Sequence, residues 1–236
     1  MDAAFVLVHS PLVGPATWKP VATRLIAHGA TAVVPSLLDV PWAEPPFWPR
    51  ITELVAGKVA GLSAGRPVVL VAHSNAGLFV PVIAAALTRP VAGCLFVDAR
   101  LPARRGSTPV GAADRREFLR EKAEDGLLPP WTTWFDESVV APMFPDRETR
   151  EAVEAEQPRL PLSYYEQRIP VPDGWDGRPC GYLLFGPPYE EVANEAAARG
   201  WAVERMTGRH LHQVVDPDGV ADRIAAMAAT WSPPSS

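Results

Sequence analysis

Several features that would place a chain in a specialised class are scarce or missing in this sequence of 236 residues. Its two cysteines, Cys94 and Cys180, stand alone in their segments, which excludes the paired spacing of a cysteine metal site. The net charge of -5 is mild and no basic stripe occurs, which argues against a nucleic-acid partner. No apolar run approaches the ~20 residues that a membrane span needs.

Targeting and cofactor signals are missing as well. Neither a basic segment nor a cleavage site of small residues precedes the first apolar run, so no signal peptide is predicted. We expect the two cysteines to be buried thiols in a reducing cytoplasm. Nothing resembles a phosphate loop or a metal-ligand cluster, so neither metal nor organic cofactor is predicted. The expected partner is a small-molecule substrate, with no nucleic acid and no membrane, and a homodimer is left open.

Short apolar runs alternate with helical stretches along most of the chain. The runs are rich in Val and Leu, as in strands buried on both faces of a parallel sheet. They span residues 4–8, 31–34, 68–72, 93–97, 181–185 and 202–206. The helix candidates between them span residues 18–28, 48–61, 76–87, 189–199 and 217–230. This alternation predicts an α/β fold with a doubly wound, mostly parallel sheet.

The stretch 101–178 breaks this alternation. It shows no convincing buried strand, and its polar helical segments, 114–124 and 147–156, are separated by loops rich in proline and aromatic residues. Because it is too long for a simple crossover, we interpret it as an insertion over one end of the sheet. The predicted division is therefore a core of residues 1–100 and 179–236 with an insertion of residues 101–178.

The strongest local motif is Val68-Val-Leu-Val-Ala-His-Ser-Asn-Ala-Gly77, an apolar strand followed by a turn of small residues and a helix. A nucleophile elbow needs this arrangement, because the serine takes a strained backbone and strand and helix approach closely. The flanking positions of G-x-S-x-G are here Ala72 and Ala76. Alone, the motif is equally typical of a serine, Ser74, that caps a helix.

Two further landmarks favour the elbow. The first strand ends in His9-Ser-Pro-Leu-Val-Gly14, and Gly208-Arg-His-Leu-His-Gln213 follows the last strand. Serine before histidine, each just after a strand, is the order of the α/β-hydrolase fold. With these motifs the chain resembles the α/β-hydrolase superfamily, in the compact branch similar to plant methylesterases and hydroxynitrile lyases, over nearly all of its length outside the insertion.

The resemblance implies a helical lid at residues 101–178, Ser74 as nucleophile and His210 as general base, with His212 as the alternative. His73 is expected to pack or to form a hydrogen bond. The acid is less clear, because the turn after 181–185 contains no aspartate. Asp98, at the end of the preceding strand, is the favoured acid, since some members of the superfamily carry theirs there; Glu190 is the alternative.

At one position the sequence departs from the pattern of the superfamily in a way that bears on the reaction. Ester hydrolysis needs about two N–H donors aimed at the developing oxyanion. The amide of Asn75 would be one, but the residue aligned with the other donor is Pro11, which has no N–H. Either the amide of Leu12 or the hydroxyl of Ser10 could substitute, or the reaction forms no tetrahedral oxyanion, as in the lyases of this branch.

The insertion is rich in aromatic side chains, and some are expected to line an apolar site. Trp131 and Trp134, one helical turn apart, are the residues of this group we predict to contact the substrate. A basic cluster of Arg100, Arg104 and Arg105 at the start of the insertion could bind a carboxylate, although solvated surface is the more common role.

Three functions follow from these residues. The favoured one is a serine hydrolase that cleaves an ester, lactone or thioester of a small, largely apolar or aromatic substrate through Ser74, His210 and Asp98. The second is a lyase, cyclase or decarboxylase that uses the same Ser-His pair as acid and base. The third is a small-molecule binding protein without catalysis.

Overall fold

The structure, a computed structural model, describes residues 3–231, with the side chains of residues 113 and 114 left outside the description. Residues 1, 2 and 232–236, at the outer ends of the predicted core, also lie outside it. The strands of the described part are β1 (Ala4–Val8), β2 (Thr31–Val33), β3 (Val68–His73), β4 (Val91–Val97), β5 (Gly106–Pro109), β6 (Arg168–Val171), β7 (Cys180–Leu184) and β8 (Ala202–Arg205).

Six of these strands form one sheet in the order β2-β1-β3-β4-β7-β8, with every neighbouring pair parallel. They correspond to the six apolar runs of the sequence. Along β1, Ala4, Val6 and Val8 face one core cluster, whereas Phe5 and Leu7 face the other. Both faces of the sheet are therefore covered, and the predicted α/β fold with a doubly wound sheet is confirmed.

Helices supply both covering layers. Their bounds are α1 (Lys19–Ala27), α2 (Trp48–Ala60), α3 (Val80–Ala86), α4 (Ala113–Lys122), α5 (Glu137–Val140), α6 (Arg147–Glu154), α7 (Glu190–Ala198), α8 (His212–Val215) and α9 (Pro217–Ala229). Helices α1 and α9 pack on one face, and α2, α3 and α7 pack on the other. Among the helices of residues 3–231, none is long and apolar enough to span a membrane.

The predicted helix 76–87 is in fact two elements. A 3-10 helix covers Ser74–Phe79, and α3 begins only at Val80. Pro81 lacks the N–H that would continue an α-helical ladder from the preceding turn, but it fits the first turn of a new helix. The chain therefore leaves the serine through a tighter turn than the sequence suggested.

The stretch between β4 and β7 contains α4, α5 and α6, short 3-10 turns, and the strands β5 and β6. These two strands pair antiparallel in a ribbon separate from the main sheet. The sequence predicted no convincing buried strand here, and β5 and β6 are only partly buried, but the ribbon that they form was not predicted. Each strand has only four residues and includes a proline, Pro109 or Pro170, so neither forms a continuous apolar run.

Buried polar side chains join this insertion to the core. The Gln167 side-chain oxygen accepts the backbone N–H groups of Phe47 and Trp48 at 2.9 and 3.1 Å, while its nitrogen donates to the Tyr164 carbonyl. Glu156 accepts the Ala16 N–H and pairs with Lys19 at 2.9 Å. The hydrogen bond from the Tyr164 hydroxyl to the Asn75 side-chain oxygen, at 2.9 Å, is a third contact that attaches this stretch to the core.

Close packing beside the serine centres on Gly77. A Cβ at this position would lie 2.2 Å from the backbone oxygen of Arg100 and 3.1 Å from the Ala99 side chain. Ala72 and Ala76 are both fully buried. The tightest approach thus falls one residue beyond the second flanking position of the motif.

We therefore expect Gly77→Ala to lower the free energy of unfolding by about 1–3 kcal/mol, because the new methyl group can be accommodated only by moving backbone. Urea denaturation measures this. The matched control is Gly57→Ala, on the exposed face of α2 with no atom within 4 Å of the added carbon. It should instead gain about 0.5–1 kcal/mol from helix propensity. Equal effects at the two positions would contradict the packing argument.

Candidate active site

Three side chains from separate strand ends meet at one hydrogen-bonded chain. The His210 Nε2 atom lies 2.9 Å from the Ser74 Oγ, and His210 Nδ1 lies 2.7 Å from the Asp98 Oδ2. Because a carboxylate only accepts, Nδ1 carries the proton and Nε2 is left to accept from the serine hydroxyl. This is the arrangement in which a serine can become a nucleophile, with histidine as its base.

The serine stands at a strained point of the backbone. Its φ is +58°, in the left-handed region that residues with a Cβ rarely occupy. The residue directly follows β3 and begins the 3-10 helix. Strain of this kind persists only where packing over-determines it, and the close contact at Gly77 supplies that packing.

Asp98 lies at the end of β4 and is buried, with 1% of its side chain exposed. Its Oδ1 accepts the Phe185 N–H at 3.1 Å, so both carboxylate oxygens are occupied. Its own φ is +43°. Since β4 and β7 are neighbours, the turn after β4 reaches the histidine as readily as the turn after β7 would.

The alternative residues lie elsewhere. The His212 ring packs edge-on against Phe185, at 5.3 Å between ring centroids. Glu190, half-exposed in the first turn of α7, pairs with Arg205 at 2.5 Å. The structure thus brings Ser74, His210 and Asp98 together and leaves these two outside the hydrogen-bonded chain.

His73 anchors the loop that carries the histidine. Its Nε2 donates to the His210 carbonyl oxygen at 2.7 Å, and the two rings lie 4.6 Å apart. Burial lowers the pKa of His73 well below its ordinary value, and the nearby His210 adds to this shift. His73 is therefore neutral and holds the neighbouring backbone, as expected from the sequence.

The turn after β1 faces the serine. Ser10 and Leu12 line a small space with Ser74 and His210. The Leu12 N–H points to the Ser10 Oγ at a long 3.3 Å, and Ser10 is buried. Pro11, between them, offers no donor. Asn75, as the second residue of the 3-10 helix, has an N–H without a partner inside that helix.

A cavity of about 450 Å³ opens above Ser74. Aromatic and apolar side chains of the insertion form much of its wall, namely Trp131, Phe135, Val139, Met143 and Tyr165. Trp134 is not among the described lining residues: its Nε1 donates to the Pro129 oxygen at 2.8 Å and its ring contacts Tyr165. Of the two tryptophans predicted to contact a substrate, only Trp131 lines this cavity.

Sequence reasoning missed Tyr189. Its ring stacks on the His210 imidazole at 5.0 Å and an interplanar angle of 3°. Burial raises the pKa of Tyr189, while a hydrogen bond with the Ser74 hydroxyl opposes the rise. The feature that could have identified it is its position, five residues after the end of β7, at the carboxyl edge of the sheet.

The two cysteines face each other on neighbouring strands, with Cys94 paired to Cys180 in register. Both are buried free thiols. A hydrogen bond with the Cys94 thiol, together with burial, raises the pKa of the Cys180 thiol. Within the described residues, no group of three or more His, Cys, Asp or Glu side chains could hold a metal ion.

Comparison with known proteins agrees with the fold. The family model described as "Alpha/beta hydrolase family" matches residues 5–223, and the chain belongs to that family. A comparison with curated protein sequences finds no match.

Solved structures of similar fold cover nearly the whole chain. An extracellular alpha/beta-hydrolase from a Paenibacillus species, described as sharing structural and functional homology with tobacco salicylic acid binding protein 2, has a TM-score of 0.72 at 17% identity, covering 95% of this chain and 98% of its own. An Arabidopsis methylesterase has a TM-score of 0.69 at 13% identity, covering 97% of this chain and 99% of its own. Tomato methylketone synthase I, in complex with 2-tridecanone, has a TM-score of 0.70 at 13% identity, covering 98% of this chain and 100% of its own. At these identities the likeness concerns the fold.

The buried histidines generate a prediction about acid stability. Burial lowers the pKa of His9 to about 4, although a hydrogen bond to the Ser10 carbonyl opposes the shift. The unfolded chain protonates this histidine first, near its ordinary pKa of 6.5. Its contribution to stability is therefore complete above pH 6.5 and is lost as the pH falls toward 4.

As the pH falls from 7.5 to 5, we expect the preferential protonation of His9 in the unfolded chain to lower the free energy of unfolding by about 2 kcal/mol. His9→Gln keeps an acceptor for the Leu37 N–H that His9 Nε2 now binds at 3.0 Å, but it does not titrate. Urea denaturation at the two pH values should show a smaller loss for this variant. His28→Gln, at an exposed histidine, should leave the loss unchanged. An unchanged loss in His9→Gln would contradict the assignment.

Proposed function

We propose that this chain is a carboxylic ester hydrolase in which Ser74 is the nucleophile, His210 the general base and Asp98 the acid. The hydrogen-bonded chain from the Ser74 Oγ through His210 to Asp98 carries the proposal. Membership of the alpha/beta hydrolase family and the likeness in fold to a methylesterase support it.

The proposed reaction has two halves. His210 Nε2 takes the Ser74 proton while the serine oxygen attacks the ester carbonyl, and the resulting imidazolium gives that proton to the departing alcohol. Water then attacks the acyl-enzyme with His210 as base, which releases the carboxylic acid and restores the serine. Asp98, held by the Phe185 N–H, keeps the imidazole in the required tautomer and stabilises its charge.

The oxyanion is proposed to bind the amide of Asn75 and the amide of Leu12. The Leu12 N–H is held only by a long contact with the Ser10 Oγ, so it can turn to a stronger acceptor at little cost. The Ser10 hydroxyl is a further donor at the same place. This arrangement supplies the donors for which Pro11 cannot serve.

The substrate is proposed to be a small ester, lactone or thioester with an apolar or aromatic part. The aromatic wall of the 450 Å³ cavity, which includes Trp131, Phe135 and Tyr165, supports this choice. Residues 101–178 are proposed to act as the lid, since they provide that wall and are attached to the core through Gln167 and Glu156. A cytoplasmic location, like the choice of a small molecule as partner, stays a proposal.

A second candidate is a lyase, cyclase or decarboxylase that uses the Ser74–His210 pair as acid and base. The buried hydroxyl of Ser10 favours it, because that hydroxyl lies beside Ser74 where it could hold a substrate oxygen. The likeness in fold to tomato methylketone synthase I also supports this second candidate. Mass spectrometry separates the two, since only the hydrolase forms an acyl-enzyme.

A fluorophosphonate probe tests the nucleophile. We expect one label per chain, lost in Ser74→Ala, together with loss of activity on a panel of short esters by about 10³-fold or more. Ser63→Ala, at an exposed serine, should keep both label and activity. Both variants should melt within a few degrees of the parent. Labelling that persists in Ser74→Ala, or a parent that neither labels nor hydrolyses any ester, would overturn the proposal.

The identity of the acid is tested by Asp98→Asn against Glu190→Gln. Loss of the Asp98 charge should lower kcat by about 10³–10⁴-fold, because the imidazole is left in the wrong tautomer. Removing the charge of Glu190, which pairs with Arg205 on the surface, should change kcat less than twofold. If Glu190→Gln lowered kcat more than Asp98→Asn did, the acid would instead be Glu190, at the start of α7.

A further inference from the structure

The cavity above Ser74 carries positive charge in a wall that is otherwise mostly apolar. Two guanidinium groups, Arg100 and Arg115, are among its described lining residues, whereas none of those residues is an aspartate or glutamate. A cation against an apolar wall loses solvation unless an anion or several acceptors replace the water. This imbalance points to a ligand that brings its own negative charge.

Arg100 is held rigidly beside the nucleophile. Its backbone N–H donates to the Ser74 carbonyl oxygen at 3.0 Å, and its own carbonyl packs against Gly77. Its side chain is half-buried, and one guanidinium nitrogen donates to the Val110 oxygen. This contact fixes the direction of the group and uses only part of its five N–H donors.

Arg115 approaches the cavity from the insertion. Its guanidinium lies 5.3 Å from the centre of the Phe118 ring and 5.8 Å from that of Trp134, which holds it by cation–π contacts. Both arginine charges lower the pKa of Tyr165 and of Tyr189 against the larger effect of burial. The two positive charges therefore act on the space in which a substrate would lie.

Within the described side chains, no ion pair neutralises either charge. Among the side chains that the structure describes, the recorded salt bridges involve neither Arg100 nor Arg115. The nearby Asp98 is occupied by His210 and the Phe185 N–H. Arg104 and Arg105 are exposed, as is Arg115, but unlike Arg115 they are not among the described lining residues of the cavity. The basic cluster seen in the sequence thus divides into one cavity residue and two surface residues.

We infer that the preferred substrate is an ester that also carries a free carboxylate, bound by Arg100 and assisted by Arg115. The inference rests on the proposed ester hydrolysis at Ser74. Arg100 and Ser74 line the same cavity of about 450 Å³, so the carboxylate and the reacting carbonyl belong to one small molecule, as in a half-ester of a small dicarboxylic acid. The guanidinium offers paired N–H donors that match a carboxylate. The apolar wall packs the carbon chain.

A pair of isosteric esters tests this specificity. The probes are monomethyl adipate and its neutral counterpart, in which the free carboxylate is a primary amide. For the parent protein we expect kcat/KM to be at least tenfold higher for the charged ester. This ratio should fall to near one in Arg100→Gln and by a smaller factor in Arg115→Gln. Arg104→Gln, the matched surface control, should keep it.

A binding measurement makes the test independent of turnover. Calorimetric titration with adipate should show binding to the parent and loss of at least tenfold in affinity in Arg100→Gln, with melting temperatures confirming that the variants fold. If Arg100→Gln does not fold, the ratio of kcat/KM for the charged ester to that for the neutral ester, measured in the parent and in Arg115→Gln, still tests the inference. A parent ratio near one, or a ratio that neither substitution lowers, overturns the inference.

The two proposals fail in different ways. If the parent hydrolyses both esters equally through Ser74, the carboxylate site is wrong and the hydrolase proposal stands. If no ester is hydrolysed and Ser74 does not label, the hydrolase proposal fails. In that case, adipate binding that depends on Arg100 would still support an anion site in the cavity.

Discussion

The contact between the loop after β4 and the turn after β3 is the constraint on which the rest of the site depends. One backbone hydrogen bond, from Arg100 N–H to the Ser74 oxygen, and one missing side chain, at Gly77, bring these segments together. The same short loop carries Asp98 toward the histidine and Arg100 toward the cavity. Ser74, Asp98 and Arg100 are therefore positioned by one packing contact, and an error there would misplace all three.

Neutral buried histidines hold the neighbouring loops in place by hydrogen bonds. His73 holds the backbone of His210, and His9 joins the turn after β1 to residue Leu37 through its two ring nitrogens. Each ring serves as a fixed donor or acceptor because burial keeps it uncharged at neutral pH. Catalytic geometry of this kind needs such support, since a displacement of about 1 Å can cost 10²-fold in rate.

The fold was predictable because buried parallel strands leave continuous apolar runs, and each of the six runs became a strand of the sheet. Ser74, His210 and Asp98 were named from what the resemblance to the α/β-hydrolase superfamily implies, together with their positions at strand ends, where parallel strands direct their loops to one edge. The ribbon of β5 and β6 was missed because four-residue strands that include proline leave no such run. Tyr189 and Arg115 were not named, and Trp134 was placed in the wrong environment. Their roles depend on side-chain direction across distant segments, which no local pattern encodes.

Residues 101–178 supply much of the cavity wall, whereas Ser74, Asp98 and His210 follow strands of the main sheet, and this separation has an evolutionary consequence. Trp131, Phe135 and Arg115 stand on short helices and turns joined to the core by few polar contacts, chiefly those of Gln167 and Glu156. Residues in such segments can change without disturbing the strained turns that hold the chemistry. Divergence among relatives should thus accumulate in the wall first, so that descendants of one ancestor come to differ in the shape of the cavity while the turns of Ser74 and Asp98 stay unaltered.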